Sequence, residues 1–259
     1  MRARAKLFKR SHAVVRQLPS WVNAAHSFLW LHILQTSDLN DITMDSYSGE
    51  GRTSFGSEEH NLNGLWDWEK AAFGQCFSGC KSVLVAGAGG GREVIALASM
   101  GHNVSGFDAS EDLIRDCLNN VRKVGVTATI QFAPPGEVPS GHRVHDALVI
   151  GRGVYHHIPG RRNRIRFLTA CREQIKDDSP VFLGDFLIRT NARHRLTAFS
   201  PTNTVERGDS IGFSFFHYFT HDEIRRELDL AGFELVEYRI TPFPGGECSM
   251  AHVLARSKS

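Results

Sequence analysis

From residue 81 onward, short apolar runs alternate with segments in which apolar residues recur every three or four positions. Runs of this length fit strands, and their continuous apolar character fits burial on both faces of a sheet. The seven candidate strands are 81–87, 103–108, 128–132, 146–151, 180–186, 233–240 and 250–257. The intervening helices have start and stop signals, namely Ser110 and Gly125 for one helix and the capping-box pair Thr220 and Glu223 for another. This alternation predicts an α/β fold with a doubly wound, mostly parallel seven-stranded sheet.

Two stretches fall outside this rhythm. Residues 1–80 precede the first strand and are expected to form an N-terminal helical extension or cap, whereas 81–259 form the main domain. Residues 187–219 are an insertion between the fifth strand and the last helix, far longer than the usual connection of roughly 4–6 residues. In doubly wound sheets, ligands bind at the carboxyl edge where such insertions lie.

The first 37 residues contain six basic side chains, and the first acidic residue is Asp38. Such a segment is compatible with a transit peptide, a membrane-surface helix or a helix that packs on the domain. The apolar run 28–34 is too short to span a bilayer, so stable membrane insertion is not expected.

Composition is that of an ordinary globular protein, with 41% hydrophobic residues and a net charge of +2. This charge is too mild to suggest a nucleic-acid partner. Five thinly spread cysteines indicate a reducing compartment, which is the cytoplasm, or an organelle if the basic segment is a transit peptide. Cys76 and Cys80 lack further ligands nearby, so no metal site is predicted.

The first strand runs into the glycine cluster KSVLVAGAGGGRE (81–93). A dinucleotide fingerprint counted from Gly87 requires a third glycine at position 92, where Arg92 stands, and the phosphate loop of nucleotide triphosphatases is absent. Asp108 follows at the end of the second strand. A carboxylate there can hold both ribose hydroxyls of NAD or of S-adenosylmethionine, or it can simply stabilise the next helix dipole.

The sequence around the fourth strand distinguishes between NAD and S-adenosylmethionine. The segments VLVAGAGGGRE (83–93), GFDAS (106–110), HDALVIGRGVYHHIPG (145–160) and FTHDEIRRELDLAGFELVEYRI (219–240) occur in order. Together they resemble class I S-adenosylmethionine-dependent methyltransferases of the small-molecule type, over residues 81–257. The resemblance implies a Rossmann-like methyltransferase fold that binds S-adenosylmethionine. It also implies an antiparallel last strand between the fifth and sixth, entered through a hairpin at 242–247.

The resemblance further implies which residues bind the cofactor. Asp108 would hold the ribose and Ala109 would lie beside the adenine. The methionine and ribose portions would contact Gly87, Ala88 and Gly89, and the methyl end would contact Gly151 and Arg152. One position departs from the family pattern, because no acid directly follows the third strand. Phe132 or the backbone is expected to contact the adenine instead.

The predicted reaction is methyl transfer to an oxygen or nitrogen of a small-molecule acceptor. Candidates for a general base are His156, His157 and Asp185. Only one of the adjacent histidines is expected to face the pocket, and each of the three candidates also has a structural interpretation, as a backbone-bonded histidine or a capping carboxylate.

Three other segments also bear on the acceptor site. Residues 53–72, with Trp66 and Trp68, are expected to form part of the acceptor pocket. His217 and Tyr218 fit either a lid or a packing strand. The arginines of 160–166 are interpreted as the solvated first turn of a helix.

Three alternatives remain open from sequence. The chain could bind S-adenosylmethionine without turnover, or it could be an NAD-dependent oxidoreductase, although Arg92 and the fourth-strand motif speak against NAD. A methyltransferase acting on RNA or protein is weakened by the mild charge. The sequence does not define the oligomeric state.

Overall fold

A computed structural model describes residues 1–48, 55–141, 144–189, 205–242 and 249–259. The described helices are α1 Ala3–Val15, α2 Ser20–Ile33, α3 Thr36–Ser46, α4 Glu58–Leu62, α5 Asp67–Cys76, α6 Arg92–Ser99, α7 Glu111–Val124, α8 Arg161–Arg172 and α9 His221–Leu230. The strands are β1 Ser82–Ala86, β2 Asn103–Asp108, β3 Ala128–Phe132, β4 Ala147–Ile150, β5 Pro180–Ile188, β6 Asp209–Ile211, β7 Phe215–His217, β8 Phe233–Pro242 and β9 Ser249–Ser257.

Seven strands form one sheet in the order β3-β2-β1-β4-β5-β9-β8. Strands β1 to β5 are mutually parallel, and β9 pairs antiparallel with both β5 and β8. The sequence-based fold class and the position of the last strand are therefore confirmed. The hairpin predicted at 242–247 lies almost wholly outside the described residues.

The helix boundaries follow the local signals in the sequence. The Ser110 hydroxyl accepts a hydrogen bond from the Leu113 N–H at 3.3 Å, and α7 ends at Gly125 with φ +77°. Thr220 and Glu223 form the reciprocal capping box of α9. These contacts satisfy N–H groups that a helix start otherwise leaves unpaired.

The sheet is covered by apolar cores on its two faces. Alternate residues of β1 divide between them, with Leu84 in the core beside α8 and α9, and Val83 in the core beside α5, α6 and α7. A strand buried on both faces has no polar side to alternate, which accounts for the continuous apolar runs in the sequence.

The N-terminal extension forms a third core. Phe8 of α1, Leu31 of α2 and Ile42 of α3 are buried together with Phe215 of β7, so the three helices pack against the β6–β7 hairpin. Aspartates of α3 bind basic residues in or directly before α1, in the pairs Arg2–Asp41, Arg4–Asp38 and Lys9–Asp45. Within the described residues, no helix is both long and apolar enough to cross a membrane.

The interpretation of the 160–166 arginines as a solvated helix turn is wrong for Arg164. Its side chain is fully buried, and the guanidinium contacts Glu227 at 2.7 and 3.0 Å and Glu206 at 2.7 Å. Two carboxylates offset the cost of burying this cation. Arg161, Arg162 and Arg166 are exposed as expected.

Candidate cofactor and acceptor site

A cavity with about 900 Å³ of empty space opens at the carboxyl ends of β1, β2 and β4. This space includes the open mouth of the cavity. One part is lined from the sheet side, by Gly87, Gly89, Phe107, Asp108, Ala109, Ser110, Leu113, the loop 133–137 and Arg152. The other part is lined by Asn40, Thr43, Met44, Tyr47, Phe55, Val154, His157, Ile158 and Phe167.

Glycines bring the loop after β1 against the end of β4. Gly87 has φ +80°, and a β-carbon there would lie 2.1 Å from Val154 Cγ2. A β-carbon on Gly151 would lie 2.4 Å from the Gly87 carbonyl oxygen. Larger residues at either position would push the two loops apart, so the glycines set the shape of the cavity floor.

Asp108 lies at the cavity wall and binds the glycine loop. Its two oxygens accept hydrogen bonds from the Gly89 N–H at 2.8 Å and the Ser110 N–H at 2.9 Å. Burial raises the pKa of Asp108, and these N–H groups oppose that rise. The Ala109 N–H also opposes the rise in the pKa of Asp108. A carboxylate has about four lone-pair sites, so acceptor capacity remains for a ligand.

Arg92 does not face the cavity. Its guanidinium binds both oxygens of Glu69, at 2.6 and 2.8 Å, and one oxygen of Glu93 at 2.6 Å. The same guanidinium lies 4.8 Å from the centre of the Trp66 ring. The residue that replaces a fingerprint glycine therefore joins the start of α6 to α5.

Arg152 lines the cavity just beyond β4. Its guanidinium lies 4.5 Å from the Trp66 ring centre, and its Nε is 3.8 Å from Asp185 Oδ2. Asp185 sits where the pairing of β5 with β9 is irregular, and it is buried behind Arg152 rather than on the cavity surface. Its other oxygen is 3.6 Å from His252 Nδ1.

Only one of the two adjacent histidines lines the cavity. His157 Nδ1 is 2.7 Å from the Phe215 carbonyl oxygen, and Nε2 is 2.8 Å from the Tyr47 hydroxyl. Because a carbonyl only accepts, Nδ1 carries the proton, and Nε2 accepts from Tyr47. Burial lowers the pKa of His157 to about 4. His156 is buried beneath, where its Nδ1 accepts a hydrogen bond from the Leu187 N–H at 3.3 Å.

The helical wall of the cavity was missed by sequence reasoning. Asn40, Thr43 and Met44 of α3 and Tyr47 directly after it recur at helical spacing, and all four line the cavity. Within the predicted 53–72 segment, Phe55 lines the cavity, whereas residues 53 and 54 lie outside the described part. Trp66 and Trp68 do not line it.

Trp68 packs inward against His252, with ring centres 4.2 Å apart, whereas Trp66 is partly exposed beneath the two arginines.

His217 is also away from the cavity. It is fully buried in β7, and its Nδ1 is 2.6 Å from Asp209 Oδ1. Tyr218 does not line the cavity either. In the described part of the chain, Glu206, Asp209 and His217 form a group with metal-ligand chemistry. The Glu206 carboxylate already binds Arg164, and His217 binds Asp209, so we assign no metal to this group.

Solved structures, rather than known sequences, show what this chain is similar to. No protein-family model matches the chain, and no curated protein sequence matches it. A methyltransferase of Methanosarcina mazei described as S-adenosylmethionine-dependent superposes with a TM-score of 0.61 at 19% identity, covering 75% of this chain and 99% of its own.

Two further solved structures show how wide the chemistry of this fold is. The 1,6-didemethyltoxoflavin N1-methyltransferase of Burkholderia thailandensis, solved with that compound and S-adenosylhomocysteine, gives a TM-score of 0.65 at 15% identity, covering 87% and 92%. A cyclase of the 4+2 type gives 0.56 at 12% identity, covering 74% and 80%.

The chain thus has the class I methyltransferase fold. At these identities the likeness establishes the architecture alone.

Proposed function

We propose that this protein transfers a methyl group from S-adenosylmethionine to an oxygen or nitrogen of a small-molecule acceptor. The observation that carries the proposal is the continuity of the cavity. The glycine loop and Asp108, which we assign to an adenosine, line the same cavity as side chains of α3, which we assign to a second molecule. Methyl transfer needs this juxtaposition, because the sulfonium already carries an activated methyl group and the acceptor atom must lie in line with it.

The cofactor half is supported by the lone pairs of Asp108. The N–H groups of Gly89 and Ser110 use two of them, and the carboxylate keeps acceptor sites for the hydroxyls of a ribose. Gly87 and Gly89, which have no side chains, would let the backbone lie close to this ribose. Ala109 and the loop 133–137, also on the cavity surface, would border the adenine.

The methionine end is assigned to Arg152. Its nearest carboxylate, Asp185, is 3.8 Å away, beyond hydrogen-bond distance, so guanidinium donors remain for a ligand carboxylate. Trp66 supports the guanidinium from one face. Ala88 and Gly151, both off the cavity surface, would support this loop rather than touch the cofactor.

The acceptor half is assigned to α3, Phe55 and His157. The Tyr47 hydroxyl donates to His157, and its oxygen can still accept an N–H or O–H of the acceptor. With a pKa near 4, His157 holds a proton poorly at neutral pH. We therefore assign the pair mainly to positioning, which favours an acceptor atom that needs little deprotonation. The Burkholderia neighbour, an N1-methyltransferase, offers a precedent for nitrogen.

His156 and Asp185 stand behind this surface. Their role in the proposal is support of His157 and Arg152, since neither lines the cavity.

A second candidate function is binding of S-adenosylmethionine without methyl transfer. It is favoured by one observation, the engagement of both His157 ring nitrogens by protein groups. The cyclase among the structural neighbours shows that the fold is not tied to one reaction.

Calorimetric titration with S-adenosylhomocysteine and, separately, with NADH tests the cofactor assignment. We expect binding of S-adenosylhomocysteine alone. Asp108→Asn should weaken this binding at least tenfold, or about 1.4 kcal/mol. The matched control is Glu111→Gln, which removes an exposed negative charge from the same helix start. Binding of NADH instead, or equal affinity of Asp108→Asn and wild type, would contradict the proposal.

Turnover is tested separately with a library of small hydroxyl and amine acceptors, by following formation of S-adenosylhomocysteine. Tight cofactor binding with no turnover on any acceptor would favour the second candidate.

A further inference from the structure

The second helix is apolar on its exposed side as well as on its buried side. Residues 20–33 contain no Asp, Glu, Lys or Arg. Trp21, Ala25, Leu29 and Ile33 are spaced four apart, so they share one stripe, and all four are exposed to solvent. The exposed fractions of Trp21 and Leu29 are 73% and 61%. A helix at the surface of a globular protein normally turns such a stripe toward the core.

The neighbouring end of α1 adds to this stripe. Val14 lies in the last turn of α1, Leu18 in the connection and Trp21 in the first turn of α2, so the three lie at one end of the helix pair. Val14 is 65% exposed and Leu18 is 48% exposed. Leu7, two turns before Val14 on the same side of α1, is also exposed. We define the hairpin surface as Leu7, Val14, Leu18, Trp21, Leu29 and Ile33.

The α1 part of this surface carries positive charge. Residues 1–37 contain six Lys and Arg and no acid, and three of the six are bound by aspartates of α3. The other three, Lys6, Arg10 and Arg16, are exposed, and no ion pair is found for them within the described residues. Arg10 lies one turn before Val14 on the same side of α1.

These two properties together select one class of partner. Exposed aliphatic and indole side chains beside uncompensated cations match the interface of a bilayer that contains anionic lipids. A second copy of the chain would bring the three cations of each hairpin toward the other, which is unfavourable. The 14 residues of α2 span only about 21 Å, so the helix would lie along the interface and not cross it.

We propose that the hairpin surface binds peripherally to an anionic lipid bilayer. Its apolar side chains enter the headgroup region, while Lys6, Arg10 and Arg16 contact lipid phosphates. This inference is independent of the proposed methyl transfer, because none of these residues lines the cavity.

Cosedimentation of the full chain with vesicles tests the proposal. Vesicles of equal parts phosphatidylcholine and phosphatidylglycerol should bind the protein at low salt, and high salt should release it. Vesicles of phosphatidylcholine alone should bind it far less. Removing two cations in the Arg10→Gln, Arg16→Gln variant should weaken binding roughly thirtyfold. Trp21→Ser should weaken it about tenfold.

Matched substitutions elsewhere on the surface provide the controls. Arg225→Gln with Arg226→Gln removes two exposed cations of α9, and Leu230→Ser removes an exposed apolar side chain of the same helix. Both should bind vesicles as wild type does, and circular dichroism should show every variant folded. The proposal is overturned if the wild type stays in the supernatant with anionic vesicles, or if control and hairpin variants lose binding equally. It is also overturned if light scattering shows a dimer that Trp21→Ser dissociates.

Discussion

The contact between Arg92 and Glu69 predicts a large and specific loss of stability. Both side chains are buried, with 4% and 2% of their surfaces exposed. Their bidentate hydrogen bonds of 2.6 and 2.8 Å join α5 to the helix that follows the glycine loop. Removing one partner from such a pair costs about 3–5 kcal/mol, because the other charge stays buried.

The two partners should not be equivalent. Glu69→Gln leaves Arg92 beside Glu93, and the amide oxygen can still accept from the Trp66 N–H that Glu69 now binds at 2.9 Å. We therefore expect a cost near 3 kcal/mol. Arg92→Met leaves two carboxylates without their cation, so its cost should be nearer 5 kcal/mol. Burial already raises the pKa of Glu69, so proton uptake would limit this cost.

Thermal unfolding followed by circular dichroism measures these effects at neutral pH. For a chain of this size, about 3 kcal/mol corresponds to a fall in Tm of at least roughly 6 °C. The double variant Glu69→Gln, Arg92→Met should be more stable than Arg92→Met alone, since it removes one of the unpaired charges. Asp67→Asn, which breaks the exposed Lys70–Asp67 pair on the same helix, should leave Tm unchanged. A double variant as unstable as the sum of the single variants would refute the reasoning.

Three further predictions concern the cavity. The pKa of His157 falls from about 6.5 in the unfolded chain to about 4 in the folded chain. As the pH falls below 6.5, the unfolded state takes up the proton first, so the stability of the folded state should decrease. Between pH 6.5 and pH 5, the lowered pKa of His157 accounts for a loss of about 2 kcal/mol in the free energy of unfolding. Urea unfolding of His157→Gln should not show this loss, whereas the exposed-site control His221→Gln should show it. Tyr47→Phe should lower the free energy of unfolding by about 1 kcal/mol, because its hydrogen bond to His157 is lost. Calorimetry should show the same affinity for S-adenosylhomocysteine as in the wild type. A large loss of affinity would place Tyr47 at the cofactor instead. Gly87→Ala should lower Tm for two reasons, the positive φ at this position and the 2.1 Å approach of the new β-carbon to Val154. Adding Val154→Ala should recover only part of this loss in Tm. Full recovery would show that the positive φ contributes nothing.

The features that sequence predicted well are those with local causes. A strand buried on both faces appears as one apolar run, and Ser110 or Gly125 marks a helix end through its own backbone and side-chain chemistry. The glycine loop and Asp108 are likewise readable, because each directly follows a strand. These signals were sufficient to predict the strands and a mostly parallel sheet, whereas the place of the last strand followed from the family resemblance.

The features that sequence missed depend on distant partners. Arg164 was assigned to solvent because Glu227, which makes its burial tolerable, is 63 residues away along the chain. Tyr47 meets His157 across 110 residues, so neither position alone indicated the pair. The lining face of α3 had a local signal, the spacing of Asn40, Thr43, Met44 and Tyr47, but nothing in that spacing says which side meets a cavity.

The place of β9 in the sheet has a consequence for how the chain is made. Within the described residues, the edge of β5 away from β4 pairs only with β9, which follows β8 in the chain, and β8 reaches the sheet only through β9. During synthesis from the N-terminus, β5 therefore leaves the ribosome with an unpaired edge, which is a site for aggregation until the final strand arrives. The half of the sheet that contains β5, β8 and β9 must consequently be completed after translation of β9. A stop codon ahead of Ser249 should yield an insoluble product rather than a shortened, folded protein.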